Sequence, residues 1–120
     1  MTPLCILIVE DDPMIGPLLA ETLTGLGYEV CGIEATEAGA VAAAARHRPD
    51  LMIVDVNLAG GSGIAAVERI TRTGPVPHLF MSGLVRQAAV PGGVLLTKPF
   101  READLVRAIG RALAPAATPA

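Results

Sequence analysis

The chain of 120 residues falls in the size range of one domain and is long enough to enclose one continuous core. Apolar residues make up 52% of it but aromatic residues only 2%, so the core is expected to consist of Val, Ile, Leu and Ala. The net charge is −3 and the Lys and Arg residues are scattered, which leaves no basic surface for a phosphate backbone. The composition therefore argues against direct nucleic-acid binding.

The first apolar stretch, residues 4–9, is too short to cross a bilayer and lacks the flanking residues of a signal peptide. We therefore expect no membrane insertion and a soluble, cytoplasmic protein. Cys5 and Cys31 lie in predicted strands, without the spacing of a zinc site or of a Cys-x-x-Cys redox motif. Both are expected to be buried, reduced thiols.

Short apolar runs alternate with helical patterns along the whole chain. Asp12 followed by Pro13 predicts the start of the first helix, and Thr36 is the predicted cap of the second. Residues 84–93 contain a proline and two glycines, so the fourth helix is expected to be short or absent. The predicted strands are 5–9, 29–33, 51–54, 78–81 and 94–96, and the predicted helices are about 13–26, 37–47, 62–72 and 101–113.

Alternating strands and helices imply right-handed crossovers and a mainly parallel sheet covered by helices on both faces. The chain is therefore predicted to form a doubly wound α/β domain over residues 1–113, followed by a flexible tail, rich in Ala and Pro, over 114–120. Ligands of such folds bind beyond the carboxyl ends of the strands. The polar residues at these ends are Glu10, Asp11, Asp55, Ser82 and Lys98.

Three carboxylates, a hydroxyl and an ammonium are thus expected to meet at one edge of the sheet. Carboxylates so close repel each other unless they are protonated or bridged by a cation, and oxygen ligands of this kind suit Mg²⁺. Because aspartate side chains are ordinarily ionised at neutral pH, such a residue can attack phosphorus without a general base, and Asp55 is the candidate nucleophile. Lys98 and Ser82 can each contact a phosphoryl oxygen. These residues predict metal-assisted phosphoryl transfer to Asp55.

Four motifs, in this order and on these elements, resemble the receiver domains of two-component response regulators. They are Ile-Leu-Ile-Val-Glu-Asp-Asp at 6–12, Asp-Val-Asn-Leu at 55–58, Ser82 with a small residue after it, and Lys-Pro-Phe at 98–100. The resemblance covers residues 4–113. It implies a flavodoxin-like (βα)5 fold with a parallel five-stranded sheet in the order 2-1-3-4-5.

The resemblance also implies a role for each matching residue. Asp55 would accept a phosphoryl group from the phosphohistidine of a kinase, and Asp11 and Asp55 would bind Mg²⁺ directly. Glu10 would act on the metal largely through water, and the main-chain carbonyl of Asn57 would complete the protein ligands. The resemblance implies in addition that Ser82 and Lys98 contact the phosphoryl group and that the peptide bond between Lys98 and Pro99 is cis.

The chain departs from the receiver pattern at three places. Leu95 stands three positions before the lysine, where the family usually has an aromatic switch residue. The interval from Ser82 to Lys98 is shorter than in typical receivers, which removes most of the fourth helix. Ala59, Gly60 and Gly61 follow the third strand where many receivers have a proline, so we expect a looser loop beside Asp55.

The resemblance implies a signalling domain that catalyses only its own phosphoryl transfer and dephosphorylation. Its expected partners are a sensor histidine kinase or phosphotransfer protein and an unidentified downstream protein that it contacts as a monomer or weak homodimer. The sequence Phe-Met-Ser-Gly at 80–83 more loosely resembles the Phe-Ala-Thr-Gly motif of single-domain receivers in alphaproteobacterial stress signalling.

Three alternatives remain open at this point. The domain could be a degenerate receiver that binds partners without phosphorylation, given Leu95 and the short fourth segment. It could be an aspartyl-phosphate hydrolase, but those enzymes generally carry a second aspartate two residues after the nucleophile, where this chain has Asn57. A flavodoxin-like nucleotide binder ranks last, because no glycine-rich phosphate loop follows the first strand.

Overall fold

A five-stranded parallel sheet organises this computed structural model, which describes residues 2–83 and 93–114. Its strands are β1 (Cys5–Val9), β2 (Glu29–Glu34), β3 (Leu51–Asp55), β6 (His78–Ser82) and β7 (Val94–Thr97), and a separate antiparallel pair is formed by β4 (Asn57–Leu58) and β5 (Gly61–Ser62). The sheet order is β2-β1-β3-β6-β7. When the two hairpin strands β4 and β5 are left out of the numbering, this order is the predicted 2-1-3-4-5. The flavodoxin-like fold is therefore confirmed.

Helices cover both faces of the sheet, because successive side chains of a strand point to opposite faces and each face here is apolar. The helices are α1 (Ile15–Gly25), α2 (Glu37–His47), α3 (Gly63–Thr71) and α4 (Glu102–Leu113). One core joins α2 and α3 to alternate strand residues such as Leu7 and Val54. The other core joins α1 and α4 to the intervening residues, such as Ile8 and Ile53. All five residues of β3 are buried, as expected of a central parallel strand.

Two local predictions need correction. The first helix begins at Ile15, two residues later than predicted, because Asp12, Pro13 and Met14 form a turn. The Asp12 carboxylate still caps this turn, since its Oδ1 accepts hydrogen bonds from the N–H of Met14 at 2.8 Å and of Ile15 at 3.3 Å.

The second correction concerns the cysteines. Cys5 and Cys31 are free thiols, but they are half-buried rather than fully buried. Cys5 opens its strand, and Cys31 lies in the edge strand β2, so neither is covered on all sides.

Parts of two predictions fall outside the described residues. These are the short or absent fourth helix at 84–93 and residues 115–120 of the predicted tail. Within the described ranges, no helix has the length and apolar character needed to cross a membrane.

Candidate functional site

The carboxyl ends of three parallel strands bring one ammonium and two carboxylates into direct contact. Lys98, just after β7, donates hydrogen bonds from Nζ to Oε1 of Glu10 at 2.6 Å and to Oδ2 of Asp55 at 2.8 Å. Glu10 follows β1 and is 3% exposed, and Asp55 ends β3 and is 7% exposed. Glu10, Asp55 and Lys98 therefore lie together at one edge of the sheet, as predicted.

Asp11 completes an acidic cluster around this contact. One carboxylate oxygen from each of Glu10, Asp11 and Asp55 lies within 4.8 Å of the others. Three hard oxygen donors at such spacing fit a divalent cation, which would also relieve their mutual repulsion. The chemistry of the donor set thus agrees with the metal that the sequence predicts.

Burial and the charges of this cluster together shift the pKa values of Glu10 and Lys98. Burial is the largest influence on Glu10 and raises its pKa, the hydrogen bond from Lys98 lowers it, and the neighbouring Asp55 raises it further. The net pKa of Glu10 is above its usual value. Burial disfavours the charged form of Lys98, but hydrogen bonds to Asp55 and Glu10 outweigh burial and raise the pKa of this ammonium. Lys98 is therefore held as a cation between two carboxylates.

Main-chain contacts determine where Lys98 and Ser82 lie. The N–H of Lys98 donates to the carbonyl oxygen of Ser82 at 2.7 Å, and Ser82 pairs with Thr97 where β6 and β7 end together. Ser82 is fully buried. The peptide bond between Lys98 and Pro99 is cis, as the resemblance to receiver domains implies. Leu95, the residue at the expected aromatic position, pairs with Phe80 and is 36% exposed.

The segment after Asp55 forms a paired antiparallel hairpin, where its glycines led us to expect a loose loop. Asn57 pairs with Ser62 across the hairpin, and the exposed Asn57 donates its N–H to Oδ1 of Asp55 at 3.0 Å. Both Asp55 oxygens therefore have a partner within the protein. Asn57 is thus adjacent to the acidic cluster, where a main-chain metal ligand is predicted.

Close packing at the start of α3 supports this end of β3. Gly63 donates its N–H to the carbonyl oxygen of Val56 at 2.9 Å. A Cβ atom at Gly63 would lie 1.9 Å from the carbonyl oxygen of Asp55, so only glycine allows this approach without a shift of the backbone.

Sequence reasoning missed four residues that build this side of the site: Glu37, Gly61, Ser62 and Gly63. The signal available was the group of glycines at 60, 61 and 63, a few residues after the strand-end Asp55, which is typical of close backbone approach. Glu37 carried no such signal, because its contact with the hairpin joins segments 25 residues apart.

The model of the response regulator receiver domain family matches residues 6–110 of this chain. The chain belongs to this family. Receiver domains are signalling domains of response regulators in two-component systems, and the family typically binds Mg²⁺ at an acidic cluster such as the one described above.

Two curated proteins illustrate the relationship of this receiver domain to longer regulators. It is 36% identical over 115 residues to the phyllosphere-induced regulator PhyR of Methylorubrum extorquens, covering 90% of this chain and 43% of that protein. It is also 36% identical over 113 residues to the transcriptional regulatory protein PdtaR of Mycobacterium tuberculosis, covering 89% of this chain and 55% of that one. The chain thus spans about half the length of these relatives.

Solved structures support the same assignment. The solution structure of the PhyR response regulator REC domain from Erythrobacter litoralis matches with a TM-score of 0.82 and 33% identity, over 98% of each chain. A crystal structure from Bartonella quintana, described as anti-anti-sigma factor PhyR, matches with a TM-score of 0.78 and 30% identity, over 94% of this chain and 48% of that chain. The receiver fold of this chain is therefore matched over almost its whole length.

Proposed function

We propose that this receiver domain is a phosphoacceptor in which Asp55 takes a phosphoryl group from the phosphohistidine of a sensor histidine kinase or phosphotransfer protein. Glu10, Asp11, Asp55 and the main-chain carbonyl of Asn57 would hold Mg²⁺. The observation that supports this proposal best is the Lys98 ammonium, which bridges Glu10 and Asp55 beside the acidic cluster. Such an arrangement brings a nucleophile, the carboxylates of a metal site and a cation next to one another.

The transfer needs no general base in the protein. A carboxylate oxygen of Asp55 donates an electron pair to phosphorus, the P–N bond of the phosphohistidine breaks, and its electron pair returns to the imidazole, which takes up a proton. A bound Mg²⁺ supplies positive charge to the phosphoryl oxygens. Lys98 leaves Asp55 and pairs with one phosphoryl oxygen, and the Ser82 hydroxyl donates to another.

The rest of the proposal concerns what the phosphorylated domain does. Residues 1–113 form the receiver domain, and the domain passes its signal by contact with a downstream protein. It acts as a monomer or weak homodimer in the cytoplasm, where histidine kinases form phosphohistidine. Its own phosphoryl transfer and dephosphorylation are the only reactions that it catalyses. Leu95 lacks the aromatic ring of the usual switch, so the rearranged surface differs from that of typical receivers.

Intact-mass measurement after incubation with acetyl phosphate and Mg²⁺ tests the proposal. The wild type should gain one phosphoryl mass, and Asp55→Asn or addition of EDTA should abolish the gain. Asp50→Asn is the matched control, because Asp50 lies just before the other end of β3, where its carboxylate accepts a hydrogen bond from the N–H of Cys5 at 2.7 Å. This control should be phosphorylated like the wild type.

The other outcomes have definite meanings. If the wild type binds Mg²⁺ but gains no mass from acetyl phosphate or from a phosphorylated histidine kinase, the phosphoacceptor role is refuted and a phosphorylation-independent binding domain remains. Equal gain in Asp55→Asn would place the phosphoryl group elsewhere. Steady release of phosphate from small phosphate esters would favour the hydrolase alternative.

A further inference from the structure

The hairpin that carries Asn57 rests against the amino-terminal end of α2. Thr36, the cap of α2, forms an isolated parallel bridge with Gly60 at the tip of the hairpin. The N–H of Ser62 donates to Oε1 of Glu37, in the first turn of α2, at 3.3 Å. Two separate contacts thus join this helix to the segment beside the acidic cluster.

Glu37 is held in place for this contact by a second partner. Its Oε2 accepts from Nη1 of Arg69 in α3 at 3.1 Å, and its side chain is 22% exposed. The hydrogen bond from Ser62, followed by the one from Arg69, lowers the pKa of Glu37, so the carboxylate is ionised at neutral pH. One charged side chain therefore connects the hairpin, α2 and α3.

The hairpin has the glycine that this contact requires. Gly61 has a φ of +135°, and a Cβ atom there would lie 2.6 Å from Oε1 of Glu37. Glycine permits both this backbone conformation and this close approach. The glycine at position 61 therefore leaves room for the Glu37 carboxylate beside the hairpin backbone.

The bond from Glu37 reaches the residue directly opposite the proposed metal ligand. Ser62 pairs with Asn57, and its side chain also caps α3 by accepting from the N–H of Ile64 at 3.1 Å and of Ala65 at 3.3 Å. Asn57 in turn donates its N–H to Asp55 at 3.0 Å. A continuous path of short contacts therefore runs from Glu37 through the hairpin to Asp55.

We propose that Glu37 is a positioning residue for the metal site: by holding Ser62, it keeps the Asn57 main chain where its carbonyl can bind Mg²⁺. This inference rests on the proposed function, which makes that carbonyl a ligand. Residues outside the ligand set that orient ligands commonly change metal affinity by one to two orders of magnitude. Because Glu37 acts through a short stretch of backbone, its loss should weaken Mg²⁺ binding by about tenfold, at the lower end of that range.

Titration calorimetry of Mg²⁺ with the unphosphorylated protein tests the inference. Glu37→Ala should raise the Kd for Mg²⁺ about tenfold, whereas Glu37→Gln should stay within about threefold of the wild type, because an amide oxygen still accepts from Ser62. Asp104→Ala is the matched control. Asp104 likewise accepts a backbone N–H, from Arg101 at 3.0 Å, and a guanidinium, from Arg107 at 2.6 Å, but on α4 and outside the acidic cluster. The Kd of Asp104→Ala for Mg²⁺ should equal that of the wild type.

A rate measurement separates positioning from general loss of structure. With acetyl phosphate as donor, Glu37→Ala should need more Mg²⁺ for half-maximal phosphorylation, and its rate at saturating Mg²⁺ should return to that of the wild type. Thermal unfolding monitored by circular dichroism verifies that each variant is folded. If Glu37→Ala proves unfolded, Glu37→Gln and Arg69→Ala are compared instead, and Arg69→Ala should give the weaker Mg²⁺ binding of the two.

Several results would overturn the inference. The first is an Mg²⁺ Kd of Glu37→Ala within about twofold of the wild type. The second is an equal weakening of Mg²⁺ binding in Asp104→Ala. The third is a phosphorylation rate of Glu37→Ala that stays low at saturating Mg²⁺. A wild type that binds Mg²⁺ but is never phosphorylated refutes the proposed function alone, because the change in Kd is still measurable. Failure of the two proposals is therefore distinguishable.

Discussion

Replacement of Lys98 by methionine should destabilise the domain when no metal is bound. The substitution keeps an unbranched side chain, one heavy atom shorter, but removes the charge that lies 2.6 Å from Glu10 and 2.8 Å from Asp55. At an effective dielectric constant of about 20, each contact corresponds to roughly 6 kcal/mol of Coulomb attraction, which desolvation of the ammonium partly offsets.

The net change in the free energy of unfolding depends on the two buried carboxylates that lose their cation. Removal of one partner of a buried pair usually costs about 3–5 kcal/mol, because the remaining charge is buried and uncompensated. The Lys98 side chain is still 19% exposed, so water can enter, and we expect the lower end, about 3 kcal/mol. For a chain of this length, that corresponds to a fall in Tm of about 10 °C.

Urea unfolding of Lys98→Met and wild type, with and without Mg²⁺, measures this difference. Mg²⁺ should reduce the deficit, because a bound cation replaces the missing positive charge and stabilises only the folded state. The deficit should also shrink as the pH falls below neutral, because without Lys98 the folded pKa of Glu10 rises further above its unfolded value and the folded variant binds the extra proton.

The control for this experiment is Arg107→Met. Arg107 lies 2.6 Å from Asp104, as close as Lys98 lies to Glu10, but its side chain is 68% exposed. An exposed pair contributes little, so this variant should change the free energy of unfolding by less than about 0.5 kcal/mol. The reasoning is refuted if Lys98→Met unfolds at the same urea concentration as the wild type at neutral pH without metal, or if Mg²⁺ leaves its deficit unchanged.

Two further predictions concern packing and pH. Gly63→Ala should lower the free energy of unfolding in urea by about 1–3 kcal/mol and slow phosphorylation, because its Cβ atom would meet the main-chain carbonyl of Asp55. Gly110→Ala is the control, since a Cβ atom there would have none of the described residues within 4 Å. It should be neutral or should raise the free energy of unfolding by up to about 1 kcal/mol. An equal loss of stability in Gly110→Ala would contradict the explanation by this contact, because alanine has the higher helix propensity. Asp104 has a lowered pKa through the backbone N–H of Arg101, so the stability that it adds is present above about pH 4 and is lost as pH falls through its folded pKa. The difference in Tm between wild type and Asp104→Asn should therefore close at low pH, and a difference that persists would contradict this assignment.

Most of the element order was predictable because its signals are local. The four successive apolar residues from Leu51 predict a buried strand, and the polar residues after each strand predict the edge where a ligand binds. The start of a helix is harder to predict, because the same local signals are found in a turn that precedes the helix. Pro13 satisfies the rules for a first helical position, yet the regular helix begins two residues later, after a turn that the Asp12 side chain also stabilises.

The hairpin after β3 was not predictable from its own residues. Gly60 and Gly61 predict conformational freedom, and freedom alone is compatible with a loose loop. The hairpin contacts the start of α2, where Thr36 bridges to Gly60 and Glu37 accepts a hydrogen bond from the N–H of Ser62. Such a contact depends on the relative positions of a helix and a loop that are far apart in the chain.

The sequence by itself determined the alternating α/β pattern and the identity of the strand-end residues, since periodicity and turn chemistry act over a few neighbouring residues. Only the tertiary structure decided that one Lys98 ammonium contacts both Glu10 and Asp55, and that Glu37 holds the hairpin beside them. These contacts join residues 25 to 88 positions apart. Their distances depend on how the sheet and helices pack together, which no local pattern specifies.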